Sequence, residues 1–210
     1  MNTMFKWMSI STLLVGNVTA AYAITPLEQV QKDWAKCQYQ TPSADEQESC
    51  FERTIARTRL ELNMAGDNPE LKVWLAINQS SLAGVKGGLG ALSLVKEAKS
   101  LFEEVIAQAP STLDGSAYTS LGTLYYKVPG WPVAFGDDKK AEQLLKQALD
   151  INPNGIDANY FYGDFLVQQG RETEAKHYLL QAQQAPARPQ REVADAGRQK
   201  EIAHLLESLK

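Results

Sequence analysis

One set of small residues recurs along this chain at a fixed interval, and it limits the fold more than any other feature. Ala141, Ala148 and Pro153 are followed 34 residues later by Ala175 and Ala182, with Pro186 one residue early. An earlier copy reads Ala98, Val105 and Pro110. Upstream of each copy lies a second pattern. It is Tyr160, Gly163, Leu166 and Gly170 in the last unit, Tyr118, Leu121, Gly122 and Tyr125 in the middle one, and Trp74, Ile77, Asn78 and Ser81 in the first. Small residues at such points let two helices approach closely, and the large ones fill the partner's groove. A helix pair of this kind cannot bury its apolar face alone, so units must stack.

These positions resemble the tetratricopeptide repeat. The 34-residue period, the aromatic, Leu-Gly and Tyr of a first helix, and the two small residues and final Pro of a second all correspond. Residues 156–189 form the cleanest copy, the likeness extends over 71–189, and 27–66 reads as a degenerate helix pair. The resemblance implies an all-α fold: an α-solenoid of tetratricopeptide-like helix pairs. It also implies noncovalent binding of a protein or peptide. The spacing departs from the family pattern twice. The pattern expects 12 residues where Gly122 to Ala141 spans 19 and Asn78 to Ala98 spans 20. The extra residues predict two extended intra-repeat loops, within 127–138 and 82–96, although the run from residue 91 is free of helix breakers. The chain also resembles exported bacterial proteins built from such repeats. More distantly it resembles the periplasmic T-component of TRAP transporters, which implies an alternative role as a small-molecule-binding transporter component.

The ends complete the organisation. Residues 1–23 carry one charge, Lys6, then a mostly apolar run, then Ala21-Tyr22-Ala23. That order predicts a secretory signal peptide cleaved after Ala23 and a periplasmic location. Ser9, Ser11, Gly16 and Asn17 interrupt the run, which argues against a membrane anchor. Residues 24–66 then form an N-terminal helix pair, 67–189 the repeats, and 190–210 a polar-faced capping helix. Cys37 and Cys50 fall on the two helices of the first pair, and in an exported protein such a pair is expected to be a disulfide.

Reactive chemistry is sparse. The 21 Lys and Arg against 25 Asp and Glu give a net charge of -4, which argues against nucleic acid as a partner. The two histidines, His177 and His204, lie on amphipathic segments, and no HExxH, GxSxG or Walker sequence occurs. The expectation is a non-enzymatic protein without cofactor or metal, a hydrolase with an unrecognised site being the remote alternative. Asp137, Asp138, Asp114 and Asp157 precede or open helices and read as caps.

Candidate partner-binding residues form two groups. One comprises the two insertions: Lys86, Gly87, Gly88 and Gly90 from the first, and Trp131, Pro132, Phe135 and Asp137 from the second. Insertions at the same point of adjacent repeats emerge on one edge of a solenoid. The other comprises positions on first helices expected to line the concave face: Lys72, Gln79, Thr119, Thr123, Tyr126, Tyr160 and Asp164. Trp131 and Phe135 have two open readings, an exposed contact surface or a plug packing the loop onto the solenoid.

Overall fold

The computed structural model describes residues 24–209, so the signal-peptide expectation lies outside the described residues. The chain folds into α1 (Pro26–Tyr39), α2 (Ala44–Ala65), α3 (Pro69–Lys86), α4 (Gly88–Gln108), a 3-10 turn (Thr112–Gly115), α5 (Ser116–Lys127), α6 (Asp138–Ile151), α7 (Ile156–Gln168), α8 (Glu172–Gln183) and α9 (Glu192–Ser208). The architecture is the expected all-α solenoid. Successive helices pair as α1 with α2, α3 with α4, α5 with α6 and α7 with α8, and each pair packs on the next.

Local sequence sets the helix starts. Thr25 and Glu28 form a reciprocal capping box at α1, Asn68 caps α3 with Pro69 behind it, and Asp137 accepts from the Lys139 and Lys140 amides to begin α6. The repeated small residues do what their spacing requires. Ala98, Ala141, Ala148, Ala175 and Ala182 have no exposed surface, and Val105 almost none. Val73, Ala76, Ala98, Phe102 and Leu121 build one core segment, and Leu145, Tyr162, Phe165, Leu166 and Ala175 build the next.

The first expected loop is not a loop. Residues 82–96 are helical apart from one break: α3 runs to Lys86 and α4 starts at Gly88. Gly87 alone separates them, with φ +62, and Gly88 follows at φ +59. Glycine takes both values without steric cost, so the inserted residues lengthen the two helices instead of leaving them. Only the second insertion, residues 128–137, forms a loop.

Cys37 and Cys50 are disulfide-bonded, with Cα atoms 5.5 Å apart. The bond ties α1 to α2 beside the buried Phe51 and Trp34.

The chain's end returns to its beginning. Helix α9 packs on α8 and α7, as a terminal cap should, but also on α1. Gly197 allows the closest part of that contact: a Cβ there would lie 2.5 Å from the Tyr39 ring. The tyrosine hydroxyl also donates to Glu201. Helix α9 has no continuous apolar stripe. It buries Ala194, Gly197 and Ile202 together with Arg198, which is only 7% exposed.

Candidate interaction surface

The α5–α6 loop is short, braced and apolar at its tip. Its base is closed by backbone bonds from Gly136 to Pro129 and from Asp137 to Tyr125, and Gly130 faces Gly136 in a single bridge. Gly136 packs against the backbone of Val128 and Pro129, where a side chain has no room. Phe135 turns inward, meets the Tyr125 ring edge-to-face at 5.4 Å, and lies under the Lys99 ammonium of α4. Trp131 turns outward and is 90% exposed, followed by Pro132 across a cis peptide bond and by the exposed Val133. The two readings of these aromatics therefore divide between them: Phe135 is the plug and Trp131 the exposed group. Asp137 spends its carboxylate on capping α6.

Residues of the first insertion sit on the elongated α3–α4 hairpin. Lys86 lies in the last turn of α3 and pairs with Glu48 and Glu52 of α2, at 2.5 and 3.0 Å. Both carboxylates hold its pKa above the ordinary lysine value. Gly87, Gly88 and Gly90 are exposed at the hairpin's end, with Leu89, 86% exposed, among them.

The expected concave-face set does not form one surface. Lys72 is buried and pairs with Asp67 and Glu104, and Gln79, 1% exposed, donates to Glu97 of α4. Both side chains are thus spent inside the α3–α4 layer, a correction to their placement on the inner face. Thr119 is buried in α5. Thr123 turns its hydroxyl onto the Thr119 carbonyl. Tyr126 donates to Asp164 at 2.8 Å, and Lys127 meets the same carboxylate. Burial and the Asp164 charge push the Tyr126 hydroxyl well above its usual pKa.

The concave side is instead crossed by the chain's own C-terminal segment. The first helices α3, α5 and α7 stand side by side. Arg191, at the start of α9, lies over the Trp74 ring of α3 at 4.9 Å, and Arg198 lies over Tyr160 and Phe161 of α7 at 4.3 and 4.5 Å. Asp157, read as a cap, receives Arg198 at 2.9 Å and Arg188 at 2.6 Å. Burial works to raise the Asp157 pKa, but the two guanidiniums outweigh it and hold the carboxyl well below its ordinary range. Asp114 is no cap either; it sits in the left-handed region within the 3-10 turn. Sequence reasoning missed this cluster. Arg188 ends the last repeat and Arg191 and Arg198 follow it, outside the repeat pattern, and only the return of α9 brings Arg191 and Arg198 to Trp74, Asp157 and Tyr160.

Among the described residues, no group of three or more His, Cys, Asp or Glu is arranged to hold a metal ion, and no helix is long and apolar enough to cross a membrane.

Residues 133–197 match the model of the tetratricopeptide repeat family. A solved structure, that of a thermophilic TPR protein in Thermus thermophilus, is similar with a TM-score of 0.57. The identity is 22%, over 88% of this chain and 79% of that one, so this likeness speaks for the fold alone. No curated protein matches the chain.

Proposed function

We propose, from an all-α solenoid that carries tetratricopeptide repeats, that this chain is a noncovalent binding protein which takes a protein partner on the edge bearing the α5–α6 loop. Such repeats generally mediate protein–protein interaction. The observation that carries the reading is Trp131, 90% exposed at the tip of a loop whose base is closed by backbone bonds. An indole held in water on a braced loop forgoes a large burial gain, and rigid aromatics of this kind anchor interfaces because little entropy is lost when they bind. The inner face favours the edge too: its aromatic and acidic groups are already covered by Arg188, Arg191 and Arg198. Gly87, Gly88 and Gly90 are exposed and Trp131 is 90% exposed, so these groups present open surface, which suits a protein partner better than an enclosed small molecule.

The proposed location is the periplasm, after removal of residues 1–23. Support comes from the order of charge, apolar run and Ala-x-Ala in those residues and from the Cys37–Cys50 bond, which suits an oxidising compartment.

The test places a photocrosslinking amino acid at position 131 in cells, with exposed position 181 on α8 as control. The expected result is a discrete adduct from 131 alone, on a protein with Ile24 as its first residue. Equal or absent crosslinking from both positions overturns the edge assignment.

A further inference from the structure

Trp34 and Trp74 meet edge-to-face at 5.6 Å, yet only one of the two indoles has an acceptor. Trp34 Nε1 donates to Ser81 Oγ at 2.9 Å. Trp74, 4% exposed, has a fully enclosed Nε1 with no protein acceptor. Such a donor ordinarily costs about 1–3 kcal/mol if nothing accepts from it.

A second unsatisfied donor lies against it. The Arg191 guanidinium covers the Trp74 ring at 4.9 Å, and its enclosed Nε also lacks an acceptor. The two neighbouring arginines differ. Arg188 binds Asp157 at 2.6 Å and Asp195 through both Nε and Nη2. Arg198 binds Asp157 at 2.9 Å and Glu201 at 2.5 Å. Arg191 makes no ion pair among the described residues, because Arg188 and Arg198 already engage the carboxylates nearby. Glu192, next in sequence, turns to the outer groove with Tyr39, Val193 and Lys200. Burial, with Arg188 close by, draws the Arg191 pKa down to about 10, which marks a cation short of compensating charge. Arg191 is also the N-cap of α9, where no side chain caps the first-turn amides.

We propose that Trp74 and Arg191 form an oxyanion site on the inner face, which takes a carboxylate at the junction of α3 and the start of α9. A guanidinium lying over a ring does not use its N–H groups there, and a planar two-oxygen acceptor matches the edge that carries them. One oxygen takes the Arg191 Nε–H and the other the indole N–H, and the cluster's unpaired cation gains its counter-charge. Arg191 is partly exposed, so the ligand enters from the α8–α9 connection. The carboxylate belongs either to a free small acid or to a peptide chain end. This inference does not depend on the Trp131 edge.

The experiment follows the indole N–H signals by 15N NMR, with Trp74 assigned through Trp74→Phe. The protein is titrated with acetate, with a short peptide bearing a free C-terminal carboxylate, and with the same peptide amidated, at constant ionic strength. The expected result is a saturable shift of the Trp74 signal with a carboxylate, while the Trp34 signal stays still. Arg191→Gln weakens that binding at least ~10-fold, about 1.4 kcal/mol. Arg191→Lys, which keeps the charge without the fork, falls between. Tighter binding of the free-acid peptide than of acetate assigns the site to a chain end, and equal binding assigns it to a small acid. No saturable Trp74 shift in the wild-type protein with either carboxylate overturns the proposal, as does binding that is unchanged in Arg191→Gln or equal for the amide.

Discussion

Gly163 of α7 and Leu179 of α8 are so close that a Cβ on the glycine would lie 2.8 Å from the leucine Cγ. Gly122 and Leu145 repeat the contact at 2.8 Å one unit earlier. The two leucines are 34 residues apart, but the two glycines are 41, because the α5–α6 loop has been inserted between the helices of one unit. The contact is therefore the invariant of the pair, and the sequence interval is not. Gly163→Ala should lose stability even though alanine favours a helix by about 1 kcal/mol. Overpacking costs roughly 1–3 kcal/mol, and the leucine Cγ is not a flexible end that can swing away. The check is a double-mutant cycle in thermal or urea unfolding. Leu179→Ala opens a cavity by itself, but combined with Gly163→Ala it should cost less than the sum of the two. Strict additivity would contradict this packing.

The Cys37–Cys50 bond joins residues 13 apart. Loop-closure entropy for so short a loop gives about 3 kcal/mol. Cys50→Ser should lower stability by roughly that amount, and reduction of the wild-type protein should lower it by a similar amount. Cys37 is fully buried between α1 and α2, so it is the less suitable site for the substitution. Peptide mass spectrometry of unreduced protein checks the pairing, and urea unfolding with and without reductant checks its magnitude.

The return of α9 should be visible in acid. Asp157 is held below its ordinary pKa by Arg198 and Arg188 against the opposing effect of burial. A carboxyl with a depressed native pKa binds protons more readily when the chain is unfolded. Its contribution is therefore complete above the unfolded value of about 4 and is lost as pH falls below it. Glu142, lowered to about 2 chiefly by Arg171 and then Lys146, acts in the same direction. Asp157→Asn leaves Arg198 buried with Glu201 as its remaining acidic partner. It should cost about 3 kcal/mol at neutral pH. The gap to wild type should narrow as pH falls from 4 towards 2, while Glu142 preserves part of the acid limb. Melting curves across that range check it. A constant gap would show that Asp157 does not titrate with folding.

The fold was legible because its signal is local. Ala141, Ala148, Ala175 and Ala182 occupy positions where only small residues fit, and no insertion falls between them to disturb the 34-residue interval. The hairpin bearing Lys86 was misread because an insertion and a loop look alike in spacing. The distinction rests on Gly87, whose positive φ makes a one-residue break between two helices. The inner face was the least legible part. Lys72 and Gln79 lie on the first helix of a unit, but Glu104 and Glu97 of α4 draw them into the layer. The groups that cover the inner face come from the α8–α9 connection and from α9, a helix without an apolar stripe, so its periodicity did not reveal where it docks. Ion pairs such as Arg198 with Asp157, 41 residues apart, leave no mark in local pattern.

The loop separates anchoring from contact, and three substitutions should show it. Trp131→Ala removes a side chain that is 90% exposed, so stability should stay within about 0.5 kcal/mol of wild type. Phe135→Ala removes the ring seated on Tyr125 and under Lys99, and should cost about 1–2 kcal/mol, less than a fully buried phenylalanine. Gly136→Ala places a methyl against the Val128 carbonyl and the Pro129 backbone, which have no rotamer to escape by, so the loop must open. Binding should respond in a different order. Once the adduct from position 131 has identified a partner, Trp131→Ala should weaken its capture at least ~10-fold, about 1.4 kcal/mol, in a protein whose melting temperature is unchanged. Phe135→Ala and Gly136→Ala should weaken capture and lower stability together. Calorimetric melts alongside binding titrations of the three variants decide the matter. Full affinity in Trp131→Ala would leave the exposed indole without a role in binding and remove the edge from the interface.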